Sequence, residues 1–260
     1  MTDTDGEPYV ESGRLRRPLV VGGRVNGDDT SDEAVSYAVE RAGFYVVAGL
    51  PRDEIWASLT GGAELTDDER AAIAAAVDAA IAAHAITEGG WHDATTNDRI
   101  SAAFAELNGR GVVAMEHAGF TMSEGWSIVS EAAEDVPGAT AAVFFHEQDV
   151  ERGVEGHGLM LAFGAFDDGP DHAPLSHALA VDVCRTLRRH GVLCDWAGDI
   201  DRRIEVAPFA WRKRRATKAP PYALVDDDAA TEPSAWRHPP APRATAPAPR
   251  TPKPWWRFWQ

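Results

Sequence analysis

Apolar and polar positions alternate along this chain with two different periods, and the period changes once. Residues 1–30 hold few apolar positions among acids and glycines, too little to bury, and they are expected to form an acidic, mostly disordered arm. Helical spacing begins at Ser31, a cap candidate followed by Asp32 and Glu33, which suit the positive end of a helix. Val35, Val39 and Phe44 are expected to line its buried face and Gly43 to end it. A short helix is expected over 52–59. "TDDE" at 66–69 fits a capping box, and Ile73, Val77 and Ile81 then recur every four residues, predicting a helix to about Ile86. A fourth helix is expected from Thr96 or Asn97, with Ile100, Ala103, Phe104 and Leu107 as its stripe and Gly109 or Gly111 as its stop.

From there the chain turns to short apolar runs. Residues 112–117, 141–146, 159–166, 192–196 and 203–209 each read as strands. Ser123 is expected to cap a helix running to about Glu134. "PLSHALAVDVCRTLRRHG" predicts an amphipathic helix with Leu175, Leu179, Val183 and Leu187 inward and arginines at its negative end. "AGDIDR" reads as a hairpin turn between the last two strands. The order predicts an α+β fold, N-terminal helices followed by a mixed five-stranded sheet with packed helices, as one domain over residues 31–212. Residues 213–260 read as a disordered tail, because ten of the seventeen prolines fall after residue 215, among many alanines.

Charge sharpens this division. Residues 212–260 carry ten Lys and Arg against four acids, a net +6, which leaves −22 on residues 1–211 of a chain at −16. A body so acidic repels phosphate backbones, so direct nucleic-acid binding by it is not expected. Cys184 and Cys194 have no metal or redox spacing and are expected as reduced, buried thiols. No segment is expected to approach a membrane span, and "RLRRPLVVGG" is too short in its apolar run for a secretion signal. The chain is therefore expected in the cytoplasm.

Candidate chemistry gathers where two strands end. Residues 112–117, the helix after them and 141–146 form a β-α-β unit whose crossover is long enough for parallel strands. Both strands then end at one sheet edge, where open α/β sheets hold ligands. That edge gathers Glu116, His117, Thr121, Ser123, His146, Gln148 and Asp149, and an antiparallel strand after His157 brings that residue to it too. His146, Asp149 and Glu116 are the candidate catalytic acids and bases. Thr121, Ser123 and Gln148 are binding candidates. His146, His157 and Asp149 are the candidate metal ligands, with zinc the metal of matching chemistry. Their spacing matches no metal motif, and no cofactor is the expectation.

Three stretches, "AGFTMSEG" (118–125), "FHEQD" (145–149) and "GLMLAFG" (158–164), together with "RAGFYVVAGLPRDEIW" and "RRIEVAPFAWRKRR", resemble an uncharacterised bacterial family frequent in actinomycetes and known only as a domain of unknown function. The resemblance spans roughly Ser31 to Arg215. It implies an intact α+β domain and supplies no activity. Members often carry asparagine where His117 stands, which counts against a ligand role for that residue. Some carry cysteines in this loop, and this chain has none there.

The chain closes on "WWRFWQ". Trp255, Trp256, Arg257, Phe258 and Trp259 are binding candidates, since Trp and Arg dominate interface hot spots. A protein partner, self-docking onto the acidic body, or a membrane surface would each suit them. The sequence points first to a non-enzymatic binding or interaction module with a C-terminal aromatic docking tail. The alternatives are a small metal-assisted or acid–base hydrolase-like enzyme at the His146, Asp149 and His157 edge, and a peripheral membrane adaptor.

Overall fold

The computed structural model describes residues 9–11, 14–16, 29–61 and 64–225. They group into two compact units, one of residues up to Asp93 together with 212–220, the other of Ala94–Trp211 together with the residues from Pro221. The rest of the acidic arm, the end of the tail and its aromatic cluster lie outside the described residues.

The first unit is helical. Strands β1 (Tyr9–Glu11) and β2 (Arg14–Arg16) pair antiparallel. Helices α1 (Asp29–Ala48), α2 (Arg52–Thr60) and α3 (Asp67–Gly89) follow. α1 begins before Ser31 and runs through Gly43. It stops at Gly49, whose φ of 97° closes the turn while Gly49 N donates to Tyr45 O and Val46 O. Its inward face is Ala38, Ala42, Tyr45 and Val46, and Val39 is exposed. Small alanines, which a search for large apolar residues passes over, thus set the register. They meet Ile55, Leu59, Ile73 and Val77 of α2 and α3. The Thr66–Glu69 capping box forms as expected. By length and composition α3 is apolar enough to cross a membrane, which corrects the expectation that no segment approaches a span. Much of that apolarity is alanine, and only 22% of the apolar window is buried.

The C-terminal end of α3 holds residues 213–217, which the sequence assigned to the tail. Glu88, 2% exposed, accepts from the backbone N–H groups of Arg215 (2.9 Å), Ala216 (3.3 Å) and Thr217 (2.7 Å) and from Thr217 Oγ1. One turn earlier His84 Nε2 donates to Lys213 O at 2.9 Å. Burial alone would raise the Glu88 pKa. The hydrogen bond from Thr217 and the three backbone donors outweigh it and bring the pKa to about 2.

The second unit is α+β. Helices α4 (Thr96–Asn108), α5 (Met122–Glu134), α6 (Glu147–Val154) and α7 (His172–Arg189) surround strands β3 (Val112–Met115), β4 (Ala141–Phe144), β5 (Leu159–Ala165) and β6 (Ile204–Val206). The sheet has four strands in the order β3-β4-β5-β6, not the expected five. β3 and β4 are parallel, and the other two pairs are antiparallel. The missing strand is 192–196. The chain leaves α7 through Gly191 (φ 75°), and Val192 N closes back onto Leu187 O. That closure sets Val192 and Cys194 against the helix and leaves Leu193 exposed, and only Asp195 reaches the sheet, as a single bridge to Glu205.

Alternation along the strands sorts side chains to two faces. Val113, Ala142, Phe144 and Ala162 pack under α5, with Trp126 edge-on to Phe144 at 5.0 Å. Gly125 permits that approach: a Cβ there would lie 2.3 Å from the Phe144 ring and 2.8 Å from Ala118 O. On the helix-lined opposite side, the expected α4 stripe of Ile100, Ala103, Phe104 and Leu107 is buried.

Two outcomes follow. Gly125→Ala lowers stability by about 1–3 kcal/mol, because backbone must shift to admit the methyl group, and a urea denaturation midpoint reads this. Glu88→Gln loses about 2 kcal/mol at neutral pH. The folded pKa of Glu88 is depressed, so its contribution is full above its ordinary value of 4.5 and is lost as pH falls toward 2. The gap between wild type and variant therefore narrows in melts taken between pH 5 and pH 2.5.

Candidate functional site

His146 ends the run that begins as β4 and caps the helix that follows. Phe145 N donates to Met115 O and Ala118 N to Phe145 O, so the ladder outlasts the regular strands. Glu147 N then donates to Gly119 O at 2.9 Å, and the chain enters α6. A carboxylate three residues into a helix can turn back to the cap. Asp149 does so, accepting from His146 N at 3.2 Å.

The same carboxylate organises the neighbouring charges. His146 Nδ1 stands 3.2 Å from Asp149 Oδ2, an ion-pair distance whose angle falls short of an aligned hydrogen bond. Arg203, the residue before β6, donates from its guanidinium to Asp149 Oδ1 at 2.7 Å. The His146 and Asp149 side chains are 5% and 3% exposed. Burial lowers the His146 pKa below its ordinary 6.5; Asp149 and Glu124 pull it up, and the Arg203 charge pushes it down. The imidazole is therefore neutral at pH 7. The close approach of Asp149 orients the ring without closing a hydrogen bond to Nδ1.

This group forms part of the wall of a cavity of about 900 Å³. Its apolar wall is Met122, Trp126, Met160 and Phe163. Gln148 and Arg152 of α6 and residues 199–203 before β6 complete it. Six of its fourteen lining residues are apolar and eight are polar or charged, three arginines and three aspartates among them.

The other expected residues divide. Gln148 lines the cavity. Thr121 caps α5, its hydroxyl accepting from Glu124 N, in the role expected of Ser123 two residues later; Ser123 is exposed. Glu116 accepts from Ser101 Oγ of α4 at 2.6 Å. It sits two residues on from Ala114, whereas His146 follows Phe144 on the α5 side, so alternation puts the two on opposite faces of the sheet. His117, at φ 54°, packs its ring against Phe145 and Trp211. His157 is 65% exposed, 4.0 Å from Glu155. Among the described residues no three His, Cys, Asp or Glu side chains are grouped to hold a metal ion, so His146, Asp149 and His157 do not form the ligand set drawn from the sequence. Both cysteines are free thiols. Trp255 to Trp259 lie outside the described residues.

Sequence reasoning missed Arg203, Arg152, Trp126, Met160 and Phe163. Arg203 stands 54 residues from Asp149, and only the antiparallel return of β6 beside β5 brings it there. "AGDIDR", read as a plain hairpin turn, supplies part of the cavity wall.

A family model, Domain of unknown function (DUF6891), matches residues 28–215, and the chain belongs to that family. Neither a curated protein nor a solved structure matches the chain.

The electrostatics of His146 are testable by NMR titration of its ring protons. Asp149→Asn removes a negative neighbour and lowers the His146 pKa further, and Arg203→Gln removes a positive one and raises it. In the wild type, the depressed folded pKa means the unfolded chain binds the proton first. Stability contributed by His146 is full above about 6.5 and is lost as pH falls through the window below it, a loss that His146→Gln lacks in thermal melts.

Proposed function

We propose that this member of the DUF6891 family is a non-enzymatic binding module whose ligand occupies the cavity beside His146. The observation that carries this reading is the buried pair His146 and Asp149, with Arg203 on Asp149, in the wall of a cavity of about 900 Å³ that also presents Met122, Trp126, Met160 and Phe163. Asp149 accepts from His146 N and from Arg203, which holds the carboxylate beside the imidazole. The apolar wall supplies affinity through burial, and the neutral His146 supplies direction as a hydrogen-bond acceptor.

The acid–base alternative rests on the same His–Asp pair, whose neutral imidazole has the lone pair of a general base. Against that alternative, the Asp149 carboxylate is already taken by His146 N and Arg203.

Nile red, a neutral flat dye that brightens in apolar sites, tests the cavity directly. The wild-type chain binds it saturably, and Met160→Ala or Phe163→Ala weakens binding about five- to tenfold with an unchanged circular dichroism spectrum. Equal affinity in all three proteins would remove the cavity as the binding site.

A further inference from the structure

The charges around the cavity do not balance once each is paired with its neighbour. Arg203 is held by Asp149 at 2.7 Å, Arg152 lies 3.5 Å from Glu205, and Arg202 lies 3.9 Å from Asp199. Asp199 also accepts from Asp201 N at 2.9 Å. The carboxylate of Asp201 is left, exposed and with no hydrogen bond or ion pair among the described residues. His146 lines the same cavity. What the cavity asks of a ligand is therefore a cation with N–H donors, carried beside flat apolar groups that can lie against Trp126, Met160 and Phe163. A body at −22 raises the local concentration of such a ligand.

The chain carries that chemistry itself. Arg257 stands between Trp256 and Phe258, with Trp255 and Trp259 outside them and no acid after Glu232. The last described residue, Val225, donates its N–H to Arg189 O at 2.7 Å, so the tether starts on the unit that holds the cavity. Residues 226–254 then supply a proline-rich linker that reaches roughly 90 Å at about 3.1 Å per residue. A unit of this size has a radius of gyration of about 14 Å, so the linker spans it by any route.

We propose that residues 255–259 of the chain dock into its own cavity, with the Arg257 guanidinium on Asp201 and the aromatic rings against Trp126, Met160 and Phe163. This rests on the cavity being a binding site, and it makes the tail an intramolecular competitor for any other ligand there. Tethering holds a segment at up to millimolar effective concentration, enough for a weak contact to dominate.

The test uses the full chain, a full-length variant with Trp255, Trp256, Phe258 and Trp259 replaced by serine, and a labelled peptide of residues 250–260. The serine variant is expected to bind Nile red about tenfold more tightly than the wild type. The peptide is expected to bind the serine variant, displace the dye, and bind about fivefold more weakly when Asp201→Asn is added, with the circular dichroism spectrum unchanged. Equal dye affinity in both chains with no peptide binding would overturn the tail proposal and leave the cavity reading standing. Peptide binding indifferent to both Asp201→Asn and Met160→Ala would place the tail elsewhere and overturn it too. So would a wild-type chain that self-associates in sedimentation while the serine variant does not, which assigns the tail to a second copy. Capture of the wild type alone by phosphatidylserine vesicles, with no difference in dye affinity, would assign the tail to membranes. If neither dye nor peptide binds, both readings fall.

Discussion

The Asp149 carboxylate is the tie on which the second unit's site depends. It takes the backbone N–H of the residue that caps its helix, the ring of that residue and the guanidinium ahead of β6. Those partners come from the end of the β4 run and the start of the outermost strand, two strands away in the sheet. A buried carboxylate survives only when its lone pairs are met, so the requirement to satisfy Asp149 fixes where β6 begins. Removing Arg203 would leave a charge nearly out of water, and removing Asp149 would leave Arg203 without its partner. Shape and electrostatics of the cavity therefore have one origin.

Much of the framework was legible because local signals agreed with the fold. The capping box at Thr66, the α4 stripe and the parallel β3–β4 pair needed only nearest neighbours in sequence or a chirality rule. The shared strand edge grouped His146, Asp149 and Gln148, which line one cavity. It does not bring Glu116 there, because Glu116 is level with Phe145, one residue short of His146, and successive side chains alternate between faces. The fifth strand failed for another reason: β-like composition at 192–196 was consumed by the helix-end closure at Gly191. Arg203 and the aromatic wall were beyond local reading, since their meeting depends on sheet order over more than fifty residues.

The first unit follows a different principle. Its inward faces are small, with alanines of α1 against the aliphatic residues of α2 and α3. Its most heavily hydrogen-bonded charged group, Glu88, binds not a side-chain cation but a row of backbone N–H groups, much as a helix N-terminus receives an anion. "WRKRR", which composition marks as a basic patch, has Arg214 donating to Trp91 O and Asp93 O and Arg215 to backbone carbonyls of Val46 and Leu50. The patch is structural glue as well as charge.

That first unit is assembled from both sides of the second in the chain. Glu88 waits for donors 129 residues further on. On a ribosome adding about 5–20 residues per second, on the order of ten seconds pass before Thr217 exists, and longer before it clears the exit tunnel. During that interval α3 presents an open carboxylate and an uncovered helix end, while the whole intervening sheet is synthesised. The nascent chain thus closes the first unit late at a place it began early, and only the residues from Pro221 on, which belong to the second unit, follow.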